Sequence, residues 1–138
     1  DDNIIVDLLT PFIFEDRVRW IAGGLLGQWA VWTHAAVKML ESIKQCRHEG
    51  SFDSAWLAEN IRLTDANAAI FDAAHDFAGC IPGVHEVLRR QGLLPSVRCL
   101  DPEEVLSPGQ AEELDRVSAS QSAEDAFVAA NLPRWMAE

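Results

Sequence analysis

The sequence has no tyrosine and only two lysines, Lys38 and Lys44. Tyrosine often relays protons in active sites, and a lysine that forms a Schiff base needs a desolvated pocket to lower its pKa. Both lysines fall toward the polar side of a predicted helix, where we expect no such pocket. The two scarcities together predict that this chain carries no catalytic residue of its own.

Cysteine and histidine are few and scattered. The cysteines include no C-x-x-C pair, and their odd number is not typical of a disulfide framework. The histidines include no H-x-x-x-H pair that would suggest zinc. We therefore predict reduced thiols, a cytoplasmic protein, and neither a metal nor a cofactor. The residues concerned are Cys46, Cys80 and Cys99, and His34, His48, His75 and His85.

Positive charge is also scarce, since the formal net charge is -11 at pH 7. An acidic surface repels phosphate, and Arg89 with Arg90 is the one adjacent basic pair, so we predict no nucleic-acid partner. A membrane span needs about 18 apolar residues with few polar breaks, and no stretch meets that requirement. The chain opens without a signal peptide and without an initiator methionine, which favours a processed chain or an excised piece.

The stretch VRWIAGGLLGQWAVW, residues 18–32, decides how the chain is interpreted. Its three glycines each weaken a continuous helix by about 1 kcal/mol relative to alanine. The pattern therefore predicts a short buried strand over residues 18–22, a turn over residues 23–27 and a helix over residues 28–45. The turn is a weak match to a phosphate-binding loop, because it lacks both a Gly-Lys-Ser/Thr ending and G-x-G-x-x-G spacing.

Two segments near the start have helical spacing. Residues 28–45 carry an apolar stripe that is typical of packing against a core, formed by Trp29, Trp32, Ala36, Met39, Leu40 and Ile43. Residues 1–10 suit either a β-branched strand or a helix. Their apolar positions and a cap at Asp2 or Asn3 favour a helix that ends at Pro11.

Further helices are predicted beyond residue 50. A long helix capped by Ser51 or Asp53 runs to about residue 76 on a stripe formed by Leu63, Ala66, Ile70, Ala73 and Phe77. After a break over residues 79–83, a helix ends at Gly92. Residues 101–104 form a compact helix start, residues 107–110 a capping box, and Ser122 begins a last helix that closes before Pro133.

Some aspartate, cysteine and histidine residues are candidates for a metal site or a pocket rim. Asp65, Asp72 and Asp76 share one face of the long predicted helix, which favours a solvated face over a metal site. Cys80 lies in a predicted loop that is either a pocket rim or a packed connector, and the frequent burial of free cysteine favours the connector. His85 follows one turn later and is equally consistent with a pocket-facing and an exposed position.

The order of these segments resembles the C-terminal part of barrels in the dihydrodipicolinate synthase and N-acetylneuraminate lyase superfamily. The segments GGLLGQWAVW and VHEVLRRQGLL carry the resemblance, together with DDNIIVDLLTP at the start. They are similar to the motifs of a dihydrodipicolinate synthase-like subgroup, and the resemblance covers almost the whole chain.

The resemblance implies a mainly α chain of six or seven helices and one short strand. Residues 1–46 would be the last βα unit of a TIM-type (β/α)₈ barrel, and residues 47–138 its C-terminal helical appendix. Family barrels place their chemistry at the carboxyl ends of the strands. The implied substrate-pocket rim comprises Asp1, Asp2, Gly23, Gly24, Gln28, Cys80 and His85. The family's Schiff-base lysine belongs to strand six, upstream of residue 1, so it has no counterpart here.

The predicted strand over residues 18–22 has no partner among these 138 residues, although its backbone N–H and C=O groups need one. We therefore expect exposed apolar faces on the first two helices, and self-association or a partner chain. The function that the resemblance implies is that of a class I aldolase or lyase acting on a small oxo acid, inactive as this isolated chain. Two alternatives remain: a non-enzymatic helical interaction module, and a subunit that completes the active site of a partner.

Overall fold

The first helix, α1 (Ile4–Leu9), buries all four of its predicted apolar positions. The structure is a computed structural model that describes residues 3–137. The buried Asn60 side chain accepts hydrogen bonds from the backbone N–H groups of Ile5 and Val6, at 3.2 and 3.5 Å. The start of α1 is therefore capped by a residue from another helix. The side chain of Asn3, at the N-cap position of α1, makes no capping hydrogen bond. The helix predicted before Pro11 is confirmed.

A two-stranded antiparallel hairpin follows α1. Strand β1 (Phe12–Phe14) pairs with strand β2 (Arg17–Arg19), and Ile13 stands opposite Val18. The strand predicted over residues 18–22 therefore begins one residue earlier, at Arg17, and ends three residues earlier, at Arg19. The strand was expected to be buried and to have no partner in this chain, and both expectations are wrong. Strand β2 is exposed along its length, and its hydrogen-bonding partner is β1 of the same chain.

An extended segment leads from the hairpin into the second helix. Residues 20–26 have no regular secondary structure, and residues 27–30 form one turn of 3₁₀-helix. Helix α2 (Thr33–Glu49) then begins five residues later than predicted, because Trp32 adopts a left-handed backbone conformation with φ of 53° and interrupts the helix. Gly50 ends α2 in the same region, with φ of 70°, as is usual for a residue that follows a helix.

Helix α3 (Ala55–Phe71) forms the long central element of the fold. It ends five residues earlier than predicted because Asp72 takes a left-handed conformation, with φ of 57°. Ala73 and Phe77, which were predicted to continue the apolar stripe, are exposed as a result. Helix α4 (Cys80–Arg90) starts within the predicted break, and Pro82 lies in its first turn.

The last third of the chain departs from prediction in two places. Residues 101–104 form a turn instead of a helix start. Helix α5 (Gln110–Ser118) begins where the capping box was predicted, and α6 (Ser122–Trp135) begins at the predicted residue. However, α6 continues through Pro133, and the Trp135 ring packs edge-on against Phe127 at 5.8 Å. Met136, which follows the helix, is exposed.

Two apolar clusters form the core, and α3 contributes to both. One joins α1 to Leu26, Ile43 and Leu63. The other surrounds Ile70 and includes Trp32, Val87 and Leu114. Since α1 is buried in the first cluster, the expectation that its apolar face would be exposed is wrong.

Within residues 3–137 the fold is mainly helical, with six α-helices and one small sheet, which confirms the predicted mainly α class. Gly83 shows how closely the helices pack, because a Cβ atom there would lie 2.1 Å from the backbone oxygen of Ile70. Among the described helices, none is long and apolar enough to cross a membrane.

Candidate functional site

Asp72 is the centre of a buried polar cluster that joins three helices. Its Oδ2 atom accepts hydrogen bonds from the Ser107 hydroxyl at 2.5 Å and from the backbone N–H of Gly79 at 2.8 Å. Its Oδ1 atom lies 2.7 Å from Nδ1 of His75. Burial acts to raise the pKa of Asp72, but the hydrogen bonds from Ser107, His75 and Gly79 outweigh it and the pKa is lowered. Asp72 is therefore an anion that ties the end of α3 to the start of α4.

Gln110, at the start of α5, completes this cluster. Its Nε2 atom donates to the backbone oxygen of Gly79 at 3.0 Å and approaches that of Ile70 at 3.3 Å. Its Oε1 atom accepts the backbone N–H of Ser107 at 3.0 Å, which is one arm of the predicted capping box. The other arm is missing, because the Ser107 hydroxyl bonds to Asp72 instead.

The residue types of a catalytic triad are present in Ser107, Asp72 and His75, but their hydrogen bonds connect them in a different order. In a triad the histidine lies between the nucleophile and the acid and takes the hydroxyl proton. Here both Ser107 and His75 bond to the carboxylate, so no hydrogen bond joins the imidazole of His75 to the Ser107 hydroxyl. The adjoining cavity of about 350 Å³ also has Asp65, Glu113 and Arg116 in its wall. We interpret the cluster as a structural clamp between three helices.

The predicted pocket-rim residues do not converge on one site. Asp1 and Asp2 lie outside the described residues. Gly24 packs against α1, since a Cβ atom there would lie 1.8 Å from Cδ1 of Ile4, whereas Gly23 has open space around it. No hydrogen bond between described residues joins either glycine, or Gln28, to Cys80 or His85.

Gln28 is buried inside the protein, 2% exposed, and does not form a rim. Its backbone N–H donates to Oδ1 of Asn67 at 3.1 Å, and its Nε2 atom to the backbone oxygen of Leu63 at 3.4 Å. Its Oε1 atom has no hydrogen-bond partner among the described residues and borders a cavity of about 50 Å³. A cavity of that size has room for a water molecule, which could donate to this oxygen.

Cys80 and His85 both lie on α4, but they contact different groups. Nδ1 of His85 lies 3.5 Å from the backbone oxygen of Val97 and 3.7 Å from Sγ of Cys99. Burial, followed by the charge of Glu104, raises the pKa of both the Cys80 and the Cys99 thiols. Both thiols are therefore protonated at neutral pH, which argues against a nucleophilic cysteine.

Neither lysine lies in a pocket. Lys38 is exposed, and Nζ of Lys44 donates to Oε1 of Glu41 at 2.7 Å on the surface of α2. Within the described chain, no group of three or more histidine, cysteine, aspartate or glutamate residues could hold a metal ion.

An apolar surface extends from the hairpin into the segment over residues 20–25. We call it the hairpin surface, and its exposed side chains are Ile13, Phe14, Val18, Trp20, Ile21 and Leu25. Leu25 is 92% exposed and Ile13 73%. The backbone N–H groups of residues 20–25 donate no hydrogen bond to another described residue. Exposed apolar side chains concentrated in one segment make that segment a candidate interaction site.

Arg47 holds this surface in place from α2. Its Nη2 atom donates to the backbone oxygen of Ile21 at 2.8 Å, and its Nε atom to that of Leu8 at 2.5 Å. Its guanidinium group also lies over the Trp20 ring, 5.1 Å from the ring centre. These contacts fix the extended segment against α1 and α2 although it lacks strand partners.

The sequence pattern did not reveal the Asp72 cluster. Asp72 was placed on a solvated helix face, but it is 4% exposed. The one available signal was the Ser107 to Gln110 capping pattern, which located Gln110 without indicating its long-range partners. Comparison with protein-family models, with curated proteins and with solved structures gives no match.

Proposed function

We propose that this chain is the C-terminal part of a class I aldolase- or lyase-like barrel protein that acts on a small oxo acid. In this proposal the chain contributes no catalytic nucleophile, and its hairpin surface packs against the remaining barrel strands. The observation that carries the proposal is the exposed segment over residues 20–25, which has no regular secondary structure and whose backbone N–H groups lack partners among the described residues. The reaction class rests on the sequence resemblance alone.

The backbone of this segment supports the packing step. Neighbouring strands of a (β/α)₈ barrel satisfy each other's N–H and C=O groups. Residues 20–25 include Trp20 and Ile21, which are typical strand residues, yet the ladder with β1 ends at Arg19. Pairing this segment with further strands would satisfy its backbone and cover its apolar side chains in one step.

The environment of the lysines supports the catalytic part of the proposal. An imine-forming lysine has to lose its proton near neutral pH, which requires burial or a neighbouring cation. Lys38 is exposed, and Lys44 lies on the surface of α2, where it pairs with the carboxylate of Glu41, so neither lysine is buried. We therefore assign the imine chemistry to a lysine outside this chain.

Borohydride trapping in the presence of pyruvate tests this assignment. The experiment uses this chain and the longer chain encoded by the same reading frame upstream of Asp1. We expect no covalent mass increase on this chain, and an increase on one lysine upstream of Asp1 in the longer chain. Trapping on Lys38 or Lys44, or an upstream frame that encodes no strand–helix units, would contradict the proposal.

A non-enzymatic interaction module is the second candidate, and one observation favours it. The chain has two apolar clusters of its own, so its helical part does not need further strands for a core. In that case the hairpin surface would bind a separate protein, and the longer chain would trap no pyruvate on any lysine.

A further inference from the structure

A cavity of about 280 Å³ lies between the start of α2, the end of α4 and helix α6. Its wall is rich in aromatic rings and includes one carboxylate. The wall residues that matter here are Trp32, His34, Gln91, Glu124, Phe127 and Trp135. The volume is near the lower end of the range for small-molecule sites, roughly 300–1,000 Å³.

Trp32 is held in this wall at an energetic cost. A bulky residue with positive φ is an outlier, and the left-handed region costs roughly 1–2 kcal/mol for residues other than glycine. Trp32 has φ of 53° and is 5% exposed, and its Nε1 atom donates to Oδ1 of Asp125 at 3.1 Å. The same oxygen accepts from Nε2 of Gln91 at 2.8 Å. Strain of this kind persists where the surroundings fix one geometry, and it clusters at binding sites.

The opposite part of the wall is an ordered aromatic stack beside a buried acid. The rings of His34 and Phe127 are parallel within 7° at 3.8 Å, and Trp135 meets Phe127 edge-on. Glu124 is 7% exposed, lies 2.9 Å from Nδ1 of His34 and accepts the backbone N–H of Ala35 at 3.0 Å. Glu124 is thus the carboxylate of this wall, held in place by His34 and by the backbone of Ala35.

We propose that this cavity binds a small organic ammonium ion, such as a quaternary or alkylated amine. Aromatic faces attract a cation through their quadrupole, and Glu124 adds Coulomb attraction. The acidic wall and the net charge of -11 disfavour an anion. The site is independent of the function proposed above, since it lies on α2, α4 and α6 and involves none of the hairpin surface.

Titration of the chain with choline tests the proposal, with 3,3-dimethylbutan-1-ol as the neutral control of the same shape. The readout is the pair of indole N–H signals of Trp32 and Trp135 in a nitrogen-15 correlation spectrum. We expect saturable shifts of both signals by choline and binding of the neutral alcohol that is weaker by about fivefold or more. Equal binding of the two compounds, or no saturable shift with choline, would overturn the proposal.

A matched pair of variants locates the site. Trp135→Leu removes one aromatic wall, whereas Trp20→Leu removes a tryptophan outside the cavity; the two residues are 43% and 41% exposed. We expect Trp135→Leu to weaken choline binding by roughly threefold or more and Trp20→Leu to leave it unchanged. Unchanged binding in a folded Trp135→Leu variant would overturn the assignment. The comparison of choline with its neutral analogue on the unmodified chain decides the proposal without any variant.

Discussion

The Ser107 hydroxyl donates a 2.5 Å hydrogen bond to Oδ2 of Asp72 across 35 residues of sequence. This bond joins the loop before α5 to the end of α3. The same oxygen also accepts the backbone N–H of Gly79, where α4 begins. One buried carboxylate therefore sets the relative positions of three helices, and its removal should affect all of them.

Asp72→Asn should destabilise the protein by about 2 kcal/mol. The amide keeps the shape and tolerates the left-handed backbone, but its NH₂ group cannot accept the hydrogen bonds that one carboxylate oxygen accepts now. Urea unfolding measures the change. Asp76→Asn is the matched control, because Asp76 also has positive φ, 53°, but is exposed. Similar losses in the two variants would contradict the clamp role of Asp72.

Gly83→Ala should destabilise the protein by about 2–4 kcal/mol, because the new Cβ atom would lie 2.1 Å from the backbone oxygen of Ile70 and force α3 and α4 apart. Thermal unfolding followed by circular dichroism measures the loss. Gly23→Ala is the control, since its Cβ atom would meet no atom within 4 Å. A wild-type melting temperature for Gly83→Ala would contradict the close packing of α3 against α4.

Glu86 should give the fold a defined sensitivity to acid. The hydrogen bond from Arg89 lowers the pKa of Glu86 most, burial opposes it, and Arg90 lowers it further, to about 2. Because the folded pKa lies below the ordinary value of 4.5, the stabilisation is complete above that pH and is lost as the pH falls toward 2. The side chain is 10% exposed, so the contribution is on the order of 2 kcal/mol.

The stabilisation by ionised Glu86 can be tested with the Glu86→Gln variant. The measurement is the difference in unfolding free energy between wild type and variant from pH 7 to pH 2. We expect the wild-type advantage to shrink below pH 4.5. Glu112→Gln, which changes an exposed carboxyl on α5, is the control variant. A wild-type advantage that stays constant down to pH 2 would show that Glu86 titrates normally.

The hairpin surface should make the isolated chain self-associate. Replacing both Ile13 and Leu25 with lysine puts charge on its two most exposed apolar positions and should weaken association by about tenfold or more without loss of stability. Light scattering over a concentration series measures association. Ile61→Lys, at an exposed position on α3, is the control. A monodisperse wild-type monomer that binds no apolar dye would argue against an interaction surface here.

Helical periodicity predicted most of the helices, because it reports which face is buried. The spacing of Ile4, Ile5, Leu8 and Leu9 placed α1 correctly, and Ser122 marked the start of α6. Periodicity failed where a single backbone conformation decides the outcome. Positive φ at Trp32 and at Asp72 shifted one helix start and one helix end. Tryptophan rarely adopts this conformation, and the enrichment of aspartate in it is too weak to locate a helix end.

The hairpin was missed for a similar reason. Tight hairpin turns usually contain glycine or asparagine, whereas this one contains Glu15 and Asp16, and Glu15 has φ of 56°. Without that signal, β1 was not predicted, and β2 was left without a partner. The Asp72 cluster is harder still to predict from the sequence, because its hydrogen bonds span up to 35 residues and depend on how the helices pack.

Hydrogen–deuterium exchange at residues 20–25 tests most directly whether the hairpin surface packs against further strands. It should be measured on this chain and on the longer chain encoded by the same reading frame. We predict near-random-coil exchange in this chain and protection on the order of 100-fold in the longer one. Equal exchange in both chains, or protection already present in this one, would contradict the account.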